Sequence, residues 1–308
     1  MLVFSVSDKG GTGRSVTSTN LAYRAALQGF DTVYLDFDFG SPTVGAIFEV
    51  EHARSGVRNR GLHEYLYGET NEPLRIDVWA ESNRETLSRP LGSRALTMMP
   101  GTLGGSEFLQ LDEHMVQRCA DLFLRLQEEF EFCVVDLSAG RSAAMDLVLR
   151  ATAVGRAREI PRKWLVFHRW TRQHVIAAGN LVHGENGLIK YGMSCGFDID
   201  EMEESISFVR TAVIDPDGSA ARILNSAQQA WLVEVDRDLE LLASECRLGR
   251  DLRIGSIPLD PILQWREQLI TDKDAHTTGV ANPLTVEAFK VLADKLCEPV
   301  KALRDQRR

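Results

Sequence analysis

Leu2-Val3-Phe4-Ser5-Val6-Ser7-Asp8-Lys9-Gly10-Gly11-Thr12-Gly13-Arg14-Ser15 is an apolar run that breaks directly into a glycine-rich one. That is where a phosphate-binding loop leaves its strand. Such a loop, G-x-x-x-x-G-K-[ST], needs glycines so that backbone N–H groups can wrap phosphate oxygens. It also needs a lysine that reaches the β/γ oxygens and a hydroxyl for Mg²⁺. Gly13 and Ser15 fill two of those places, while Asp8 replaces the first glycine and Arg14 replaces the lysine. The loop is expected to hold a nucleotide, and the arginine puts its hydrolysis in question.

Composition bounds the classes open to the chain. With 308 residues, 44% hydrophobic and 26% charged, it has the makeup of a soluble globular protein able to bury a sizeable core. A formal net charge of −9 argues against coating nucleic acid through the overall field, although a local basic patch survives that balance. No two of Cys119, Cys133, Cys195, Cys246 and Cys297 have C-x-x-C or metal-ligand spacing, so reduced thiols are expected. The chain enters a strand without a basic region and long apolar segment, and no stretch of about 18 apolar residues follows. A cytoplasmic location is expected.

Short apolar runs alternate with longer amphipathic ones, the mark of βαβ units and a parallel sheet covered on both faces. The expected fold is α/β: a single, doubly wound, mostly parallel sheet with helices on both faces, occupying 1–308 as one domain. Expected strands are Leu2 to Ser7, Thr32 to Leu35, Leu96 to Met99, Phe132 to Leu137, Trp164 to Phe167, Ser207 to Ile214 and Leu252 to Ile257. Expected helices are Ser15 to Leu27, His114 to Glu129, Gln173 to Val182, Ala220 to Cys246 and Thr285 to Leu303. A polar stretch over 184–206 reads as an excursion from the sheet.

The context of the loop strengthens it. The order strand, loop, helix gives phosphates the positive end of a helix and its free N–H groups. One strand ends in Asp36-Phe37-Asp38 and another in Asp136, which places these carboxylates at the sheet edge where α/β folds bind ligands. There they can hold Mg²⁺ directly or through water, or orient an attacking water. One aspartate before Gly40 and Pro42 would be read as a turn residue; several beside a glycine-rich loop are not.

The segments Lys9-Gly10-Gly11-Thr12-Gly13-Arg14-Ser15, Asn20-Leu21-Ala22, Leu35-Asp36-Phe37-Asp38-Phe39-Gly40 and Val134-Val135-Asp136 with Gly140 together resemble the deviant Walker A P-loop ATPases of the ParA/MinD family. Arg14 makes the chain a variant of that pattern. The match runs through about Leu149 and is weaker beyond it. There Ile257-Pro258-Leu259-Asp260 resembles the family's last strand and base-contacting loop, and Asn282-Pro283-Leu284-Thr285 its closing segment.

The resemblance implies ATP and Mg²⁺ as cofactors and a homodimer closed around nucleotide, acting on a partner protein, DNA or a membrane. It makes Lys9 the lysine that reaches nucleotide across the dimer and Gly10, Gly11, Thr12 and Gly13 the cradle, with Arg14, Ser15, Val16 and Pro258 also against the nucleotide. Ser15 would bind Mg²⁺, Asp136 would hold the ion's water shell, Asp36 would support it and Asp38 would position the water. The prolines usual after the Asp136 strand are replaced by Ser138-Ala139.

Lysine is a compact ammonium on a flexible stem, whereas guanidinium is planar and prefers a bidentate grip. Arg14 is therefore expected either to bind phosphates with slow turnover or to swing to a carboxylate and leave the pocket empty. The first outcome gives a nucleotide-dependent switch, the second a scaffold that keeps the fold. His168 and His174 read as structural, and Trp164, Trp231 and Trp265 as core or interface aromatics. The tail carries Lys301, Arg304, Arg307 and Arg308 behind a helix whose Val286, Phe289, Leu292 and Leu296 read as sheet-covering core, so neither membrane docking nor DNA binding is assigned to it.

Overall fold

The computed structural model describes residues 1–216 and 219–306. Its strands are β1 (Leu2–Val6), β2 (Thr32–Phe37), β3 (Ile76–Asp77), β4 (Leu96–Met99), β5 (Phe132–Leu137), β6 (Arg162–Arg169), β7 (Ile206–Val213) and β8 (Arg253–Pro258). They form one eight-stranded sheet in the order β3-β4-β2-β5-β1-β6-β7-β8. Every pairing is parallel except β3 with β4. β1, β2 and β5 are buried along their whole length, which is why they read as near-continuous apolar runs without alternation.

The sheet has a core on each face. On one, Phe4, Phe37, Phe123 and Trp164 pack together, Phe4 lying 4.5 Å from the Trp164 ring centroid. On the other, Leu21 and Ala25 of helix α1 (Arg14–Leu27) meet Phe289, Leu292 and Leu296 of the terminal helix Pro283–Gln306. The expected tail chemistry resolves at this helix: Arg304 donates to Glu131 Oε1 at 2.8 Å and to the Gly29 carbonyl at 3.0 Å, and its guanidinium lies 4.6 Å over the Phe30 ring. Its charge is used to dock the helix on the body. Arg307 and Arg308 lie outside the described residues. Among the described residues no helix is long and apolar enough to cross a membrane.

Several expectations from periodicity need correction. The run expected as one helix from Ala220 to Cys246 is a 3-10 turn at Ser219–Ile223 followed by the helix Ser226–Glu245. The break falls at Asn225, whose side chain accepts from Gln228 N–H at 2.9 Å while Gln228 Oε1 accepts from Asn225 N–H at 3.0 Å; this reciprocal cap restarts the helix. Residues 184–205, read as an excursion from the sheet, lie between β6 and β7 and add no strand. They form two short helices, Leu188–Ser194 and Ile199–Ser205, that bury Leu188, Phe197 and Met202 in the sheet's own core. Trp164 is fully buried, but Trp231 and Trp265 are 64% and 84% exposed and belong to no core.

Candidate functional site

β1 carries the chain to the carboxyl edge of the sheet, where the loop turns before α1 begins. The turn uses left-handed backbone at Gly11 (φ 72°) and Gly13 (φ 73°), a conformation open to glycine without steric cost. A Cβ at Gly10 or Gly11 would meet nothing within 4 Å. The missing side chains therefore leave backbone open to a ligand and serve no internal packing. No side chain caps α1 at Gly13, so the positive helix end faces the loop uncovered.

Two cavities meet at this loop. One, of about 290 Å³, is lined by Gly10, Arg14, Ser15, Asp38 and Ala139. The other, of about 240 Å³, is lined by Thr17, Arg169, Ala212, Pro258 and Leu263. They share Gly11, Thr12, Gly13, Val16 and Glu267, so they are adjoining ends of one groove. The second end draws on β6, β7 and β8. At its wall Ala212 holds φ 52° where the β7–β8 register is irregular, and strained backbone and bulges of this kind gather at binding sites. Asp260 fixes the floor: buried, it accepts from Asn282 N–H at 2.9 Å and Thr285 Oγ1 at 2.8 Å. The Ile257–Asp260 loop and the Asn282–Thr285 segment are thereby one unit.

The other end is organised by Arg14. Its side chain, 6% exposed, donates from Nε to Asp136 Oδ1 at 2.5 Å and from Nη2 to Asp38 Oδ2 at 2.8 Å. Weaker contacts run from Nη1 to Ser7 Oγ and from Nη2 to Ser15 Oγ, both at 3.4 Å. Burial works against the guanidinium charge, but Asp136 and Asp38 outweigh it and raise its pKa above the ordinary value. Asp136 is completed by Tyr34, whose hydroxyl donates to Oδ2 at 2.9 Å. Burial, and then Asp136, push that hydroxyl well above its usual range, so it remains a donor. Asp36, register neighbour of Asp136 across β2 and β5, accepts from Asp38 N–H at 3.3 Å and Val44 N–H at 3.2 Å. Burial and the nearby Asp136 carboxylate push its carboxyl well above the usual range against those two donors, which favours the neutral acid.

The structure thus gathers Arg14, Ser15, Asp38 and Asp136 and places Asp36 beside them. Lys9 stands apart, half-buried, with no hydrogen bond or ion pair among the described residues. In this arrangement the side chains expected to hold Mg²⁺ do not fit the ion. A hydrated Mg²⁺ needs near-octahedral oxygen ligands and keeps several waters. Here both Asp136 oxygens already accept from Arg14 and Tyr34, Asp38 is paired with the same guanidinium, and both Asp36 oxygens face backbone N–H groups. Among the described residues no three His, Cys, Asp or Glu side chains converge as a metal site.

Spacing alone did not reveal Tyr34, Thr211 and Glu267 as members of the site, nor the contacts that Arg141 and Gly140 make. Tyr34 lies two residues before Asp36, on the same strand face, and a buried tyrosine hydroxyl requires a partner. Thr211 binds the loop by donating to the Thr12 carbonyl. Arg141 links the loop to the 184–206 segment, with Nη1 3.6 Å from Asp8 Oδ1 and donations to the Asn180 and Asn186 carbonyls at 2.8 and 2.7 Å. Gly140 N–H donates to the Ser7 carbonyl at 2.7 Å, so the turn after β5 is tied to the end of β1. Glu267 is held at the groove by its neighbours: Asn20 of α1 donates to the Gln268 carbonyl at 3.1 Å and accepts from Ile270 N–H at 2.8 Å.

This architecture has known counterparts. The septum site-determining protein MinD complexed with Mg-ADP from Pyrococcus horikoshii OT3 superposes with a TM-score of 0.53 at 14% identity, covering 96% of this chain and 95% of that one. The MinC:MinD cell division protein complex of Aquifex aeolicus gives 0.59 at 14% identity, with the same coverages. The pNOB8 ParA bound to nonspecific DNA gives 0.55 at 15% identity, covering 98% of each chain. The fold is that of the ParA/MinD ATPases. No protein-family model matches the chain, and no curated protein does. At these identities the likeness is one of fold.

Proposed function

We propose that the chain is a nucleotide-binding switch of ParA/MinD type, in which ATP in the Gly10–Gly13 cradle closes two copies around the nucleotide and so positions or regulates a partner. The observation that carries this reading is the groove itself. Its phosphate end and its Pro258 end meet at Gly11, Thr12, Gly13, Val16 and Glu267, the layout a phosphate tail, ribose and base require. Loop N–H groups and the start of α1 receive the phosphates. Glu267 lies where the two ends join, and a carboxylate there is an acceptor suited to a ribose hydroxyl. Lys9, next to Gly10 in the chain and without a hydrogen bond or ion pair among the described residues, keeps its charge available, in keeping with a role toward a second copy.

Turnover is slow in this reading. Asp38, the group assigned to the attacking water, is paired with Arg14, and the guanidinium cannot follow a leaving oxygen as an ammonium does. Losing one well-placed transition-state donor costs about 10²–10³ in rate. The partner is a protein or DNA, the two classes with which the neighbouring MinD and ParA structures were solved. One observation favours a second reading, a scaffold without nucleotide: the charge of Arg14 is satisfied by the protein's own carboxylates.

Light scattering with and without ATP separates the two. A switch doubles its mass on adding ATP and hydrolyses more slowly than its Arg14→Lys variant; an unchanged mass selects the scaffold. Turnover in the wild type equal to that of Arg14→Lys removes the slow-hydrolysis element.

A further inference from the structure

We propose that the Arg14 guanidinium takes the place of the divalent cation, so that the cradle holds a nucleotide polyphosphate without needing Mg²⁺. This rests on reading the loop as a nucleotide site and goes beyond it to the ionic requirement of that site. The side chains that the resemblance assigns to the metal are already engaged, both Asp36 oxygens by backbone N–H groups and both Asp136 oxygens by Arg14 and Tyr34, and Arg14 also holds the water-positioning Asp38 and lies near Ser15. Asp136 Oδ1 accepts from Nε at 2.5 Å, Asp38 Oδ2 from Nη2 at 2.8 Å, and Ser15 Oγ lies 3.4 Å from Nη2. The guanidinium therefore bridges the ends of β2 and β5 beside Ser15 of α1.

The arrangement resists displacement. Arg14 and Asp136 are 6% and 2% exposed, and separating a buried, hydrogen-bonded charge pair exposes each partner to an uncompensated desolvation cost. A metal approaching Asp136 must either evict the guanidinium or share one carboxylate with it. Its geometry demands several further oxygens, and Asp136 Oδ2 and both Asp36 oxygens already accept from Tyr34 and from the backbone N–H groups of Asp38 and Val44.

A ligand can still reach the guanidinium. Of its five N–H donors, those on Nη1 have only the 3.4 Å contact with Ser7 Oγ, and Arg14 lines the phosphate end of the groove. A phosphate oxygen there meets the Nη1 donors of a charged group, the open loop N–H groups and the helix end, and none of these requires a metal.

The test is the affinity of the full chain for a fluorescent ATP analogue, titrated once in excess EDTA and once in excess Mg²⁺. Wild type is expected to give affinities within about threefold of each other. Arg14→Lys, with a smaller cation that leaves carboxylate oxygens free, is expected to bind at least about tenfold tighter in Mg²⁺ than in EDTA. Wild-type binding that needs Mg²⁺ by that factor overturns the inference and leaves the nucleotide reading standing. Binding in neither solution overturns both. A folded Arg14→Lys variant indifferent to Mg²⁺ also overturns it, and the two wild-type titrations decide the matter alone if that variant does not fold.

Discussion

Arg14 Nε lies 2.5 Å from Asp136 Oδ1, joining the first helix to the end of β5 through side chains that are 6% and 2% exposed. A pair this buried contributes little net stability relative to an apolar replacement of both partners, but removing one partner strands the other. Arg14→Met is therefore expected to lower unfolding stability by about 3–5 kcal/mol, read as a shifted urea midpoint. Arg14→Met combined with Asp136→Asn should lose less than Arg14→Met alone. Equal stability of wild type and Arg14→Met would show that the pair is not formed.

How much of this could be read in the sequence depends on the range of the interaction. β1, β2 and β5 are legible because strands buried on both faces leave continuous apolar runs, and Asp36, Asp38 and Asp136 close them at the ligand-binding edge. β3, Ile76–Asp77, is too short to carry a period, and the short helices Val44–Ile47, Leu62–Tyr67 and Val78–Glu81 span too few turns to show a face. The residue types of the site are legible for the same local reason, since glycine, serine and aspartate occur at loop spacing. Their pairing is not. Arg14 can reach phosphate or carboxylate with equal ease, and only the β2–β5 register, with Asp36 beside Asp136, determines which carboxylates it meets. Glu267 and Thr211 reach the loop through the fold, from positions no local pattern connects to it.

Glu267 is the exposed carboxylate common to both ends of the groove. If it accepts a ribose hydroxyl, wild type should prefer ATP to 2′- or 3′-deoxy-ATP, and Glu267→Ala should abolish that preference. A hydrogen bond to a charged group is worth about 1.5–3 kcal/mol, so the preference should reach about tenfold or more. Competition titrations read it. Discrimination that survives Glu267→Ala assigns the ribose elsewhere.

His168, on β6 and 1% exposed, donates from Nδ1 to the Arg169 carbonyl at 3.2 Å. Burial lowers its pKa from 6.5 to about 4. It stays neutral in the fold while the unfolded chain takes up a proton as pH falls below 6.5. Its contribution is thus intact above that value and is lost progressively between pH 6.5 and 4, by about 3 kcal/mol in full. Asp36 acts in the opposite sense, because its raised pKa makes the fold retain a proton that the unfolded chain releases. The difference between wild type and His168→Phe isolates the histidine. Urea midpoints from pH 7 to 4 should fall less steeply for His168→Phe; parallel curves would contradict a neutral His168.

In the proposed switch the open backbone of the loop receives the phosphates of a nucleotide. Gly10 has no atom within 4 Å of where its Cβ would stand, needs no left-handed backbone and lines the phosphate end of the groove. Gly10→Val should therefore fold with an unchanged urea midpoint while its side chain fills the cradle. The deciding measurement is calorimetric titration of ATP into wild type and Gly10→Val. Saturable binding is expected with wild type, and at least about tenfold weaker binding with the variant. No heat of binding with wild type, or equal affinity in both proteins, would contradict that role of the loop.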